Sequence, residues 1–196
     1  EPELPDWPKI QPGQVLTLGA LPPPPGWLTV QDELHTTDAR DTDRYNGLEF
    51  AVHFPGELIF TPEAGWLMWT GKHWRADDLL VRERMVGQEI NRLRQAKVNL
   101  EVEGGADGDG EVGNAIKTLG KRIHGLESVT GMTGALRFAS SEMARSLIDF
   151  DADPWIINFQ NGTLDLRTLE LRPHEPTDLL TRISPVSYDP TAQDPM

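Results

Sequence analysis

Trp155-Ile156-Ile157-Asn158-Phe159-Gln160-Asn161-Gly162-Thr163-Leu164-Asp165-Leu166 is the stretch whose reading decides the fold class. Two apolar runs flank Gln160-Asn161-Gly162. An Asn-Gly pair supplies the two positive-φ positions of a type I′ turn, so a β-hairpin centred on Asn161-Gly162 is predicted. Leu169, Leu171 and Arg172 extend this ribbon, and Pro173, Pro176, Pro185, Pro190 and Pro195 then keep the tail irregular.

Upstream of the hairpin the apolar period changes from two to about 3.6, and three helices are expected. Asp77 or Asp78 caps the first, with Leu79, Val86, Ile90, Leu93 and Leu100 on one stripe. The second carries Val112, Ile116, Leu119, Ile123 and Leu126 at alternating spacings of four and three, the cleanest amphipathic pattern in the chain. The third is expected from about Thr133 to Asp149, with Met132, Leu136, Ala139, Met143, Leu147 and Phe150 in register. Between the first two, 101–113 mixes five glycines with five acids and reads as a loop.

Residues 50–76 read as short strands again. Leu58-Ile59-Phe60 and Trp66-Leu67-Met68-Trp69 flank a turn-forming Thr61–Gly65, and Thr70-Gly71-Lys72-His73 returns the chain to Trp74. Trp66, Trp69 and Trp74 are expected in the core, with base stacking as the other use of such rings. The first 26 residues hold eight of the sixteen prolines, including Pro22-Pro23-Pro24-Pro25, and read as an extended arm or linker. The predicted architecture is therefore α+β: N-terminal Trp-rich β-hairpins, a three-helix middle, and a C-terminal β-hairpin that can join the first sheet.

At 196 residues, 38% hydrophobic and 25% charged, the chain is long enough to bury a core. It has no cysteine, which excludes disulfides, thiolate metal sites and thiol nucleophiles, and fits a reducing compartment. No apolar run is long enough to span a membrane, and no secretory signal pattern opens the chain. It begins at Glu1 rather than Met and is expected to be a piece of a longer protein.

The net charge of −13 argues against a nucleic-acid partner until it is placed along the chain. Residues 1–38 hold six acids against Lys9, and 101–111 hold five acids and no base. By contrast 79–97 and 112–148 each carry five bases and two acids. The helical middle is basic. Lys117, Lys121 and Arg122 on the second helix, with Arg92, Arg94 and Lys97 on the first, are the candidate phosphate contacts, where each neutralised charge releases counterions. A solvated face or a protein interface explains the same residues equally well.

Several motifs fail on their chemistry. Gly108-Asp109-Gly110-Glu111-Val112-Gly113 matches the dinucleotide fingerprint literally, but Asp107, Asp109 and Glu111 would repel pyrophosphate. Gly71-Lys72 lacks both the earlier glycine and the Ser/Thr of a P-loop. Neither a zinc-protease histidine spacing nor a nucleophile elbow is found, and no catalytic or metal residue is assigned. Asp149, Asp151 and Asp153 are the exception. Alternate carboxylates on a strand can hold two divalent ions for nucleotidyl transfer, although acids between a helix end and Pro154 also serve turns.

Asp151-Ala152-Asp153-Pro154-Trp155-Ile156-Ile157-Asn158, Asn161-Gly162-Thr163-Leu164-Asp165-Leu166-Arg167-Thr168, Leu171-Arg172-Pro173-His174 and Leu179-Leu180-Thr181-Arg182 through Pro190 together resemble phage and plasmid primase–helicases. Gly65-Trp66-Leu67-Met68-Trp69-Thr70-Gly71-Lys72-His73-Trp74 looks like the start of the same module. That module, named for the poxvirus D-five primase–helicase, lies between a primase domain and a superfamily-three helicase domain. The resemblance covers about Thr37 to Pro195. Leu169-Glu170 departs from it, standing where family members often have a glycine turn, which predicts a looser second reversal.

The resemblance implies an arm or linker over 1–36, the module over 37–188, and over 189–196 a connection to a helicase domain outside this chain. It implies a non-catalytic part of a replication protein in the bacterial cytoplasm, without cofactor of its own, whose parent helicase uses ATP and Mg. Single-stranded or forked DNA, the parent's own helicase and primase domains, and a hexameric ring are the implied partners, with no membrane. Two alternatives stand beside it: a metal-dependent primase using Asp149, Asp151 and Asp153, and a purely protein–protein oligomerisation module.

Overall fold

The computed structural model describes residues 41–103 and 110–192. The expected proline-rich arm and most of the acidic loop lie outside the described residues. Four α-helices and two separate three-stranded antiparallel sheets make a mixed α and β fold. In chain order they are α1 (Asp43–His53), β1 (Leu58–Thr61), β2 (Gly65–Trp69), β3 (Trp74–Ala76), α2 (Val81–Glu103), α3 (Glu111–Leu126), α4 (Val129–Glu142), β4 (Ile156–Phe159), β5 (Gly162–Asp165) and β6 (Glu170–Arg172).

Helix α1 corrects the strand reading of residues 50–53 and makes the helices four instead of three. The Thr42 side-chain oxygen accepts the Tyr45 N–H, a standard N-cap that starts the helix. Helix α1 packs closely on α4 because Gly47 permits it: a Cβ there would lie 2.4 Å from the Ala135 carbonyl oxygen. Helix α2 is capped by Asp77, whose carboxylate accepts the N–H groups of Val81 and Arg82 at 2.6 and 3.2 Å. That cap places Leu79 and Leu80 before the helix, both exposed, so Leu79 does not share the apolar stripe of Val86 and Leu93. The helix continues through Glu101 to Glu103, into residues expected to be loop.

Helix α4 starts earlier than expected, with the Ser128 hydroxyl oxygen accepting the Gly131 N–H, and ends at Glu142. No proline or glycine stops it. The edge of β1 captures the chain instead: Phe60 N–H donates to the Met143 carbonyl and Arg145 N–H donates to the Phe60 carbonyl. Asp149 consequently sits in a short 3₁₀ turn, Leu147–Asp149.

Two buried clusters result. Phe50, Phe54, Leu58, Met85, Val86, Leu93, Leu126, Leu136 and Ala139 fill the space among the helices and the first sheet. Ile59, Leu67, Trp74, Phe150 and Leu179 form the second, in which the Trp74 indole N–H donates to the Pro176 carbonyl at 2.8 Å. Trp69 packs on Trp74 with ring centroids 5.6 Å apart, whereas Trp66 lies half-buried against Phe60.

The second sheet does not join the first. It is tied to it by the Lys72 ammonium, which donates to the Gln160 carbonyl, and by the Asn158 side-chain amide, which donates to the Lys72 carbonyl. Its hairpin is shifted one residue from the expected turn. Phe159 pairs with Gly162, so Gln160-Asn161 is the loop and Gly162 opens β5. Glycine is required at 162 for another reason: φ is +153°, and a Cβ would lie 2.5 Å from the Arg172 carbonyl oxygen on β6. The freed Asn161 side chain clips the tail, accepting the Tyr188 N–H and donating to the Tyr188 carbonyl. The second reversal is tight rather than loose, because Leu169 adopts φ +59° and its N–H donates to the Asp165 carbonyl at 2.7 Å.

Candidate nucleic-acid interface

Of the six predicted phosphate contacts one, Arg122, is buried, a second, the half-exposed Arg92, is engaged by buried Glu89, and four lie along the surface. Arg122 of α3 is 5% exposed. Its Nε–H donates to the Asn46 Oδ1 at 2.8 Å, its terminal nitrogen donates to Glu49 at 2.6 Å, and its guanidinium lies 4.9 Å from the Tyr45 ring centroid. Arg92 of α2 reaches the same Glu49 at 3.1 Å and grips Glu89 with two hydrogen bonds of 2.8 and 3.0 Å. Glu89 is 1% exposed and also meets the His53 Nδ1 at 3.0 Å. The network thus ties α1, α2 and α3 together with two arginines facing two glutamates.

That balance makes the buried charges tolerable, because each one has both an opposite charge and directed hydrogen bonds. Burial alone would raise the Glu49 carboxyl. The hydrogen bond and charge of Arg122, with the charge of Arg92, outweigh it and hold the group below its ordinary range. Arg92 is held above its ordinary range, chiefly by its hydrogen bonds to Glu89. Arg122 is therefore corrected from a phosphate contact to a structural clamp, and Arg92, half-exposed but engaged twice, serves the same clamp.

The other four cations face solvent along the antiparallel pair α2 and α3. Lys117 is exposed and has no side-chain partner among the described residues. Lys121 extends into water and meets Asp41 at 3.1 Å, which lowers the Asp41 carboxyl. Lys97 pairs with Glu101 at 2.7 Å one turn along its own helix, and its stem passes 3.9 Å from the Cβ position of Gly120. Arg94, three residues before Lys97, reaches across to Glu127 at the end of α3. Positions 117, 120, 121 and 124 are neighbours on one helical stripe, so Lys97, Lys117 and Lys121 share a surface and Arg94 continues it. Exposed pairs of this type are weak, and phosphate oxygens can take the place of the carboxylates.

The aspartate triplet does not converge. Asp149 projects from the 3₁₀ turn. Asp151, at φ +52°, accepts the N–H and the hydroxyl of Thr181. Asp153 accepts the Trp155 N–H at 2.9 Å and grips Arg167 at 2.9 and 3.1 Å. Two of the three carboxylates are thus committed to holding loops. Among the described residues, Glu49, His53 and Glu89 bring one ligand atom each within 4.8 Å of one another, close enough for an ion. Both carboxylates are already neutralised by Arg92 and Arg122, so the cluster works as an interhelical clamp. The glycine fingerprint at 108–113 follows helix α2 where a dinucleotide site requires a strand.

Sequence reasoning missed the partners that α1 gives the clamp, because Tyr45, Asn46, Glu49 and His53 lie on an unrecognised helix. Thr42-Asp43 was the available signal, a cap followed by an acid in the first turn.

The model of a family described as D5 N terminal like matches residues 48–196. No curated protein matches the chain.

Proposed function

The chain belongs to the D5 N-terminal-like family, the N-terminal module of phage and plasmid primase–helicase proteins, and from that premise we propose that it is a non-catalytic module that positions DNA for the helicase. The observation that carries this reading is the solvent-facing row Arg94, Lys97, Lys117 and Lys121 along α2 and α3, helices that Arg92 and Arg122 join to α1 through Glu49. A fixed row of long cationic side chains tracks a phosphate backbone without reading sequence. Single-stranded or forked DNA is the substrate of that surface. ATP and Mg belong to the helicase domain of the parent, which acts in the bacterial cytoplasm. No helix among the described residues is long and apolar enough to cross a membrane.

Fluorescence anisotropy with a labelled single strand tests the reading. Lys117→Ala with Lys121→Ala should weaken binding by roughly tenfold at low salt, with thermal unfolding unchanged. Unaltered affinity would overturn it.

A specific observation supports a second role in assembly with neighbouring subunits of a ring. In β4–β5–β6 Ile157 and Leu171 flank the buried Leu164 and are themselves 40% and 38% exposed, with Trp155 exposed at 52%. The polar row Asn158, Thr163 and Arg172 faces the body of the protein, where Asn158 and Thr163 are buried and Arg172 grips Asp178. The exposed apolar side chains Ile157, Leu171 and Trp155 present a surface suited to a protein neighbour.

A further inference from the structure

Two histidines stand where the first sheet meets the segment that follows the second. His73 closes the turn between β2 and β3, and His174 lies two residues beyond β6. The contacts around them hold this junction together. The Trp74 backbone N–H donates to the Leu180 carbonyl at 2.8 Å, and its indole N–H donates to the Pro176 carbonyl at 2.8 Å. Beside them the Lys72 ammonium donates to the backbone and side-chain oxygens of Gln160 at 2.8 and 3.1 Å.

Neither imidazole is placed to carry a charge. Both ring nitrogens of His174 are buried and have no hydrogen-bond partner among the described residues, so the neutral ring already leaves one donor unsatisfied. Protonation would add a second such donor and a charge. At His73 the Thr70 hydroxyl donates to the His73 carbonyl at 2.8 Å, so its oxygen accepts the Nδ1–H at 3.1 Å and leaves Nε2 as the basic atom. The side chains that act on His73 are all basic: Arg75, His174 and Lys72. The acids beside the junction are engaged elsewhere, Asp78 by Arg75 at 3.0 Å, and Asp178 and Glu175 by Arg172 at 2.6 and 3.9 Å.

We propose that His73 and His174 form an acid-sensitive latch, shut while both rings are neutral, whose protonation loosens the β2–β3 turn from the segment after β6 and so frees the second sheet from the first. Burial, and then the nearby Arg75, His174 and Lys72, hold His73 below the ordinary histidine range. The shut form therefore binds fewer protons than the open one. Its advantage is complete above the ordinary histidine pKa, about 6.5, and is lost as pH falls through the lower value that His73 has when shut.

Hydrogen exchange in the full chain at about pH 7.5 and about pH 5.5 tests the latch, with protection read against the intrinsic rate at each pH. The Trp74 backbone amide, whose acceptor lies across the junction, should lose protection by up to roughly tenfold per pH unit for each imidazole that takes a proton on opening. The Met143 amide, bonded to the Ala139 carbonyl at the end of α4, should keep its own. His73→Gln should remove part of the pH dependence at Trp74, and His73→Gln with His174→Asn should remove it all. Equal protection of Trp74 at the two pH values in the unaltered chain would overturn the proposal. So would an equal loss at Met143, which would mean global unfolding, or a loss at Trp74 that His73→Gln leaves unchanged.

Discussion

Leu169 holds φ +59°, a conformation that costs a side chain with a Cβ about 1–2 kcal/mol. It is largely exposed, so little burial offsets that strain. Leu169→Gly relieves it at the cost of greater unfolded-chain entropy, about 0.5–1 kcal/mol, and should raise stability by about 0.5 kcal/mol in urea unfolding. A loss of stability would mean that the side chain is held by contacts on the sheet. Glu49 is the other decisive residue. Its folded pKa lies below the unfolded value, so its contribution is complete above the ordinary glutamate pKa, about 4.3, and is lost as pH falls through the folded value. Stability should therefore fall as the pH drops below about 5, and Glu49→Gln should flatten that acid limb of the profile. A Glu49→Gln profile as steep as the original would assign the acid sensitivity elsewhere.

The helices are joined by charge as well as by apolar packing, and Arg122 is the hinge of that arrangement. Removing one partner of a buried pair leaves the other charge uncompensated, so Arg122→Ala should cost about 3–5 kcal/mol in chemical unfolding, while Lys117→Ala should change stability little. Equal and small effects would show that the clamp is dispensable. Helices with continuous apolar stripes were legible in the sequence: α3 spans Val112 to Leu126 as its spacing predicts. Helix α1 was not, because its inward face includes Asn46 and Gly47, chosen for hydrogen bonding and close approach, which leaves no apolar period. The end of α4 was also hidden, since it is set by hydrogen bonds from Phe60, far away in sequence. The Asn161-Gly162 pair did mark a hairpin, but the demand for glycine came from the Arg172 carbonyl rather than from the turn. Likewise the basic helices were visible, but that Arg122 turns inward depended on Asn46 and Glu49 of the unseen α1.

Among the described residues, buried Arg122 and half-exposed Arg92 join three helices through Glu49, cations line the outside of two of them, and a sheet with exposed Ile157 and Leu171 stands beside the tail. The charge row is the part on which the functional account depends, and the salt dependence of single-strand binding tests it most directly. Four phosphate contacts predict a slope of log affinity against log salt of about −3 for a single strand. Replacing Arg94, Lys97, Lys117 and Lys121 together with alanine should bring that slope close to zero while the fold remains intact. A slope that the fourfold variant leaves unchanged would contradict the account.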